Sequence, residues 1–259
     1  MRLAVDVMML RRVLRRHEVD FYFKDRFGIM SRRELSDGLG YILTTKNSCD
    51  AAPLIEALEK RGDKFDVSFD IGSNIGLVTA FLSRVSRVCY AFEPEPNNYA
   101  RCEEQIELNH CANVVMVDLA LTDAEGQGEL FVMESYGHHS LGPVKTSGSK
   151  GVIPIRMTTV DHFCELNKID QIDFMKVDVE GFEREVFLGA SGMLLDKKVS
   201  LIAFEVSQAP LESLGKKASD IFSLLRSLDY EIIKLNGESF AASPSTIWHE
   251  DFFARPLRS

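Results

Sequence analysis

The chain has 259 residues, of which 45% are hydrophobic and 27% are charged, and its formal net charge is −9. This length suits one large α/β domain with a small extension, and the acidic balance argues against general binding to nucleic-acid phosphates. Five cysteines without a C-x-x-C spacing, together with the lack of a secretory leader, predict reduced thiols and a cytoplasmic protein. No apolar run reaches the roughly 18 residues that a membrane span needs.

The amino terminus differs from the rest of the chain. Residues 1–16 include five arginines and one acid, and their apolar residues recur at helical spacing. An amphipathic helix of this kind can lie on an anionic membrane, or it can pack on its own domain or on a partner subunit in a homo-oligomer. Short strands or a cap are expected over 19–45, and a helix over 50–60. We therefore predict an extension over 1–64 and the main domain over 65–259.

The most informative segment is a turn rich in small residues. An apolar strand leads into Asp70, and a helix follows over 77–85. Between them lie four small or turn-forming residues, Gly72, Ser73, Asn74 and Gly76. A strand, such a turn and a helix N-terminus together form a platform for a nucleotide-like ligand, although an ordinary βα turn has the same pattern.

The spacing of the turn narrows the class of ligand. Asn74 and Leu77 stand where a G-x-G-x-x-G dinucleotide fingerprint would have its second and third glycines, and the lysine of a P-loop is absent. The Asp70 carboxylate would repel a pyrophosphate but suits a ligand with a cationic amino group. S-adenosylmethionine (SAM) carries such a group and a sulfonium.

The next two strands add candidate cofactor contacts. A strand over 87–92 ends at Glu93, which is 23 residues after Asp70 and is suited to hydrogen-bonding ribose hydroxyls. Glu93 could also be a surface acid that starts a helix over 95–109. A third strand over 113–118 would face an adenine ring, where either Asp118 or the backbone of Leu119 and Ala120 could accept the hydrogen bond of its amino group.

A second charged block follows a later strand that begins at Ile172. Four charged residues occupy its carboxyl end, and these are Lys176, Asp178, Glu180 and Glu183. Because a buried central strand is normally apolar, we expect these charges to lie in the crevice of an α/β fold. Glu180 and Glu183 could instead cap the following helix. The remaining elements are predicted as strands over 129–133, 152–156, 199–205, 231–235 and 247–254 and helices over 158–166, 182–190 and 216–228.

Four segments together resemble the FkbM-type SAM-dependent methyltransferases: 69–76, 91–94, 120–126 and 176–183. The similarity extends over roughly 65–255. It implies a class I methyltransferase fold, with a seven-stranded, mostly parallel sheet flanked by helices. It also implies methylation of oxygen on a sugar, polyketide or other small hydroxylated acceptor. By the same resemblance, Asp70, Gly72 and Gly76 belong beneath the methionine part of SAM, and Glu93 belongs to the ribose.

Methyl transfer to a hydroxyl benefits from a general base. Asp178 is the first candidate, and His138 or His139 in the long segment 134–150 is the second. Glu180 and Glu205 are further candidates. Asp178, Glu180 and a histidine could also ligate a metal, but their spacing is not tight and no obligatory metal is expected. A nucleotide-dependent oxidoreductase and a non-catalytic binding module remain as alternative functions.

Overall fold

The computed structural model describes residues 21–33, 51–133, 141–142, 149–240 and 249–257. The predicted helix over 1–16 and the two candidate histidines, His138 and His139, lie outside these ranges. None of the helices within them has the length and apolarity that a membrane crossing needs.

A seven-stranded sheet forms the centre of the molecule, as the family resemblance implied. Its strands are β3 (Phe65–Ile71), β4 (Ser86–Phe92), β5 (Val114–Val117), β9 (Ile172–Val177), β10 (Val199–Ser207), β11 (Tyr230–Lys234) and β12 (His249–Pro256). They are arranged in the order β11-β12-β10-β9-β3-β4-β5. Only β12 runs antiparallel to its neighbours, so the sheet is mostly parallel.

The strand order creates a crevice beside β3. The chain moves outward from β3 to β4 and β5, and it later returns to the other side of β3 as β9 and β10. Ligands of open α/β sheets bind at such a reversal, outside the carboxyl ends of the strands. The turn after β3, Glu93 after β4 and Asp178 after β9 all follow strands that meet at this point.

Helices cover both faces of the sheet. They are α1 (Ala52–Arg61), α2 (Leu77–Val85), α3 (Pro96–Leu108), α4 (Val160–Asn167), α5 (Glu183–Gly189), α6 (Ser191–Leu195), α7 (Gln208–Ser213) and α8 (Ala218–Ser227). Successive residues of β9 show the two layers, because Phe174 packs with Phe65 and Phe81 in one core cluster, whereas Met175 packs in the other. Burial on both faces explains why these central strands place apolar residues on both of their sides.

Two smaller sheets accompany the central one. β6 (Ala120–Leu121), β7 (Gly126–Met133) and β8 (Ser149–Thr158) form a three-stranded sheet. β1 (Phe21–Lys24) and β2 (Met30–Arg33) form a hairpin that rests on α3, where the Met30 N–H donates to Asn109 Oδ1 at 2.8 Å. Helix α1 contributes Ile55 and Leu58 to the same core cluster as α2. The described part of the 1–64 segment is therefore packed against the main domain.

Candidate functional site

The turn after β3 depends on Gly72. Its φ is 77°, and a Cβ at this position would lie 1.9 Å from the backbone oxygen of Asp178. The N–H groups of Gly72 and Ser73 both donate to Phe92 O, at 3.1 and 3.0 Å. Only glycine therefore lets the turn after β3 approach the loop after β9 this closely.

Asn74 and Gly76 also have positive φ, but their surroundings differ. Asn74 has a φ of 51°, and its N–H donates to Glu93 Oε2 at 2.9 Å. Gly76 precedes α2, and a Cβ there would lie 2.7 Å from Cys102 Sγ on α3. Gly76 thus permits close packing of the turn on α3, whereas Asn74 ties the turn to the tip of β4.

A cleft of about 650 Å³, including space open to solvent, lies over these strand ends. Gly72, Asp178 and Glu180 line it beside β3 and β9. Apolar side chains line it beside the third strand, and these are Leu119, Ala120, Leu121, Leu130 and Leu141. One part of the cleft therefore suits a polar, charged group, and another suits a flat apolar one.

Glu93 lines the cleft from the tip of β4 and is only 5% exposed. Its Oε2 accepts from Asn74 N–H and its Oε1 accepts from Glu95 N–H, both at 2.9 Å. Burial raises the pKa of Glu93 to about 7, and the two backbone donors oppose this rise. Each carboxylate oxygen keeps a lone pair for a ligand hydroxyl.

Two side-chain amide oxygens in the cleft lack a hydrogen-bond donor. The Oδ1 atoms of Asn74 and Asn98 are buried and find no donor among the described residues. Both residues line the cleft, and Asn98 is only 2% exposed. An unsatisfied buried acceptor costs roughly 1–3 kcal/mol, so these two oxygens point to a ligand that donates hydrogen bonds.

Behind the cleft, Lys176 joins two carboxylates. Its Nζ lies 3.4 Å from Asp70 Oδ1 and 3.2 Å from Asp178 Oδ2, and it donates to Gly72 O at 2.9 Å. Burial alone would lower the pKa of Lys176, but the charges of Asp178 and Asp70 outweigh it and raise the pKa above its ordinary value. The ammonium therefore fixes the turn and the β9 loop in one arrangement.

Asp70 occupies a different position from the one expected for a ligand contact. It is fully buried, its Oδ2 accepts from Thr79 Oγ1 at 2.6 Å, and Lys176 is its cationic neighbour. The cleft lining includes Asp178 but not Asp70. Lys176 was among the charges expected in the crevice, but its pairing with Asp70 was not predicted, although a basic residue inside β9 was a visible signal.

The two candidate contacts for an adenine, which follow the third strand, lie in different places. Asp118 is largely exposed, and its Oδ1 lies 2.5 Å from Nη2 of Arg156, outside the cleft lining. Leu119 and Ala120 do line the cleft. Of the two alternatives for contacting an adenine, the structure therefore favours this backbone segment over the Asp118 side chain. Ser73 and Gly76 also stand outside the lining and act through the shape of the turn.

Acidic groups gather next to Asp178. Single carboxylate oxygens of Asp178, Glu180 and Glu205 lie within 4.8 Å of one another. Acidic side chains often gather without an ion, so this group by itself assigns no metal. Glu183 holds the loop that carries Asp178, because its Oε1 accepts from the N–H groups of Val179 and Gly181 at 3.2 and 3.1 Å.

Comparison with known families identifies the class of protein that this fold and cleft define. Residues 70–232 match the family described as "Methyltransferase FkbM domain". The match covers more than half of the chain, so the chain belongs to the FkbM methyltransferase family. The matched range spans the turn after β3, the tip of β4, the segment beside Ala120 and the loop after β9.

Individual relatives are more distant. The chain is 29% identical over 187 residues to the hexuronic acid methyltransferase AglP of Haloferax volcanii, covering 71% of this chain and 72% of the relative. It is 26% identical over 206 residues to the AMB antimetabolite synthetase AmbE of Pseudomonas aeruginosa, covering 64% of this chain and 10% of that protein. The crystal structure of the FkbM methyltransferase of Methylobacillus flagellatus KT aligns with a TM-score of 0.48 at 16% identity, covering 73% of this chain and 43% of that one.

Proposed function

We propose that the protein transfers a methyl group from SAM to a hydroxyl of a sugar or another small hydroxylated molecule. The observation that carries this proposal is the cleft, which combines the unsatisfied Asn74 and Asn98 oxygens and the Glu93 carboxylate with an acidic part beside Gly72. SAM has a matching set of groups: a ribose diol that donates hydrogen bonds, an apolar adenine face, and cationic amino and sulfonium groups.

Different residues of the cleft contact different parts of the SAM molecule in this proposal. Glu93 and Asn98 receive the ribose hydroxyls, and the apolar segment 119–121 receives the adenine. Gly72 lets the amino-acid part of the donor lie against the backbone. Asp178 is placed to attract its ammonium group, while Asp70 acts indirectly through Lys176. When bound, SAM supplies a methyl group that its sulfonium already activates.

The protein's main contribution is then to align the acceptor oxygen with the methyl carbon and to exclude water. The sequence predicts Asp178, Glu180 and His139 as catalytic residues. For Asp178, however, the Lys176 ammonium 3.2 Å away offsets part of the negative charge that a base needs. This contact favours a binding role for Asp178 and leaves proton removal to another group near the cleft.

The acceptor class is supported by two considerations. AglP is named for methylation of a hexuronic acid, and the FkbM resemblance implies oxygen as the methylated atom. The cleft beside Asp178 and Glu180 is polar, which suits a hydroxylated molecule better than an apolar one.

The proposal is tested in two steps. Calorimetric titrations compare SAM with NADH, and we expect binding of SAM only. Transfer of labelled methyl groups is then measured with a panel of neutral glycosides and hexuronates, and we expect label in at least one sugar. Binding of NADH in place of SAM would show instead an oxidoreductase. SAM binding without transfer to any acceptor in the panel or in cell extracts would favour the non-catalytic alternative.

A further inference from the structure

Outside the cleft lining, the carboxylate of Glu205 lies next to two of the carboxylates that line the cleft, Asp178 and Glu180. Glu205 lies near the carboxyl end of β10, and its side chain is 18% exposed. One of its oxygens lies within 4.8 Å of carboxylate oxygens of both Asp178 and Glu180. Glu205 is therefore next to the acidic part of the cleft, which we assign to the donor's ammonium group and to the acceptor and beside which we also place the sulfonium.

Glu205 also contacts a solvent-exposed histidine, His249. His249 begins β12, and its Nδ1 lies 3.6 Å from Glu205 Oε1 and 3.4 Å from Ser207 Oγ. The antiparallel register of β10 and β12 fixes this neighbourhood, because Ser207 pairs with His249 and Glu205 pairs with Asp251. The His249 side chain is 60% exposed, so it connects the Glu205 carboxylate with solvent.

The charges around Glu205 favour its protonated form. Burial first, and then the charges of nearby acids, raise the pKa of Glu205 well above its ordinary value; these acids are Asp178, Glu180, Asp251 and Glu183. Among the described residues, the His249 imidazole is the basic group that lies within 4 Å of the Glu205 carboxylate. Asp178, by contrast, has the Lys176 ammonium as its neighbour. Glu205 therefore binds a proton more readily than Asp178 does.

An independent feature shows that the adjoining cleft is built for a ligand. Asn98 is 2% exposed and lines the cleft, and its Oδ1 has no partner among the described residues. Two members of the cluster, Asp178 and Glu180, thus line a cavity that holds a buried acceptor without a partner, in contrast to an ordinary patch of acidic surface.

We propose that Glu205 is the catalytic base, which accepts the proton of the acceptor hydroxyl, and that His249 passes this proton on to solvent. The inference rests on the proposed methyl transfer. In the step, the acceptor O–H bond breaks and an O–CH₃ bond forms. The carbon–sulfur bond breaks, and its electron pair remains on sulfur. The donor loses its positive charge as Glu205 gains a proton, so the net charge of the cluster and donor together stays constant.

This coupling has a measurable consequence for binding. The positive sulfonium of SAM favours ionised Glu205, whereas the neutral thioether of S-adenosylhomocysteine (SAH) lets Glu205 keep its proton. Binding of SAM should therefore release a proton that binding of SAH does not. Glu93 faces the ribose, which both molecules share, so its contribution cancels in the difference.

The experiment is a pair of calorimetric titrations, with SAM and with SAH, at pH 7.5. Each is made in phosphate and in Tris, whose different ionisation enthalpies report the protons released. EDTA is present throughout, so that a cation captured by the carboxylates does not contribute. For the wild-type protein we expect SAM to release up to about one proton more than SAH. Glu205→Gln should abolish this difference while SAH affinity stays within about threefold, since removing one acid relieves repulsion in the cluster.

Matched variants separate the role of Glu205 from general effects of charge. Glu205→Asp keeps a carboxylate and should retain most of the difference. Glu59→Gln changes an exposed acid on α1 and should behave like the wild type. With any acceptor labelled in the transfer assay, Glu205→Gln should lower kcat roughly 10²–10⁴-fold. His249→Gln, at an exposed position, should lower kcat less and leave both affinities unchanged.

The possible results are distinct. A wild-type protein without the SAM–SAH difference, or a Glu205→Gln protein that retains it, overturns the inference. Should Glu205→Gln fail to fold, a loss of the difference in Glu205→Asp or in Glu59→Gln would equally contradict it. A folded wild-type protein that binds neither SAM nor SAH contradicts the proposed function itself, independently of Glu205.

Discussion

At the scale of single residues, Gly72 determines how closely two loops approach each other. We expect Gly72→Ala to reduce SAM affinity by more than about tenfold, because about 1.4 kcal/mol corresponds to that factor and the new Cβ would collide with backbone. The clash is with Asp178 O at 1.9 Å, so relief requires the β9 loop to move. Affinity is measured by calorimetry, with thermal unfolding as a check of folding.

Gly62 provides the matched control for this substitution. It ends α1 with a similar φ of 66°, and a Cβ there would meet nothing within 4 Å. Gly62→Ala thus carries the conformational strain of a positive φ without the collision. It should lower the unfolding temperature slightly and leave SAM affinity unchanged. Equal losses of affinity in both variants would mean that the close approach at Gly72 is unimportant for binding.

Contacts between single residues were the hardest feature to predict. The charged positions at the strand ends follow from the sequence, but which of them contact one another does not. Asp70 and Lys176 are 106 positions apart and meet only because β3 and β9 are neighbours in the sheet. Asp118 and Ala120 are two positions apart, yet one pairs with Arg156 in solvent and the other lines the cleft. Both outcomes depend on the three-dimensional arrangement around the strands.

At the scale of secondary-structure elements, β9 carries a buried ammonium between two acids. We expect Lys176→Met to lower the free energy of unfolding by roughly 3–5 kcal/mol, because it leaves the Asp70 carboxylate buried without a cation. Urea unfolding measures this change. Lys60→Met replaces an exposed lysine on α1 and should change the free energy by less than about 0.5 kcal/mol.

The double variant Lys176→Met/Asp70→Asn tests the cause of this loss. Replacing the charged oxygen with an amide removes the buried charge, so the double variant should be more stable than Lys176→Met alone. If both variants are equally destabilised, the loss comes from the hydrogen bond to Gly72 O rather than from an uncompensated charge.

The elements with strong periodicity were predicted accurately. The helix expected over 77–85 is α2, Leu77–Val85, and the strand expected over 87–92 is β4, Ser86–Phe92. The missed elements are β6, α6 and α7, which have two, five and six residues. Segments this short show less than two helical turns or one pleat, so no hydrophobic period can develop. They form because neighbouring elements satisfy their backbone groups.

At the scale of the whole molecule, three buried carboxyl groups make folding depend on pH. The folded-state pKa of Glu93 and of Glu183 is about 7, and that of Asp251 is about 6, in each case chiefly because of burial. All three values lie above the ordinary ones of 4.5 and 3.8. Between its ordinary pKa and its raised pKa, each of these groups binds more protons in the folded protein than in the unfolded chain. The free energy of unfolding therefore falls as the pH rises through this interval.

We accordingly expect the free energy of unfolding to fall between pH 5 and pH 7.5, by at most about 1.4 kcal/mol per pH unit for each group. Urea unfolding at several pH values measures the slope. Glu93→Gln should make the dependence shallower, whereas Glu59→Gln, at an exposed position, should leave it unchanged. A free energy of unfolding that rises over this interval would contradict the three raised pKa values.

The fold as a whole followed from the sequence, because alternating strands and helices with a small-residue turn admit few arrangements. The resemblance to FkbM methyltransferases added the seven-strand count, which the structure confirms. The strands that the sequence predicts over 231–235 and 247–254 are β11 and β12. The division at residue 64 remains a prediction.

The reversed direction of β12 has an evolutionary consequence. Because this strand runs against β10, its first residues arrive beside Glu205, at the edge where the parallel strands finish. One stretch of sequence, around β3 and β4, thus lines the cleft, whereas a separate stretch, around β10 and β12, brings Glu205 and His249 next to the lining residues Asp178 and Glu180. Under the methyl transfer that we propose, mutations in the later stretch change the surroundings of the acceptor while the earlier stretch keeps its contacts with the donor, so substrate preference within such a lineage can diverge without loss of the common reagent.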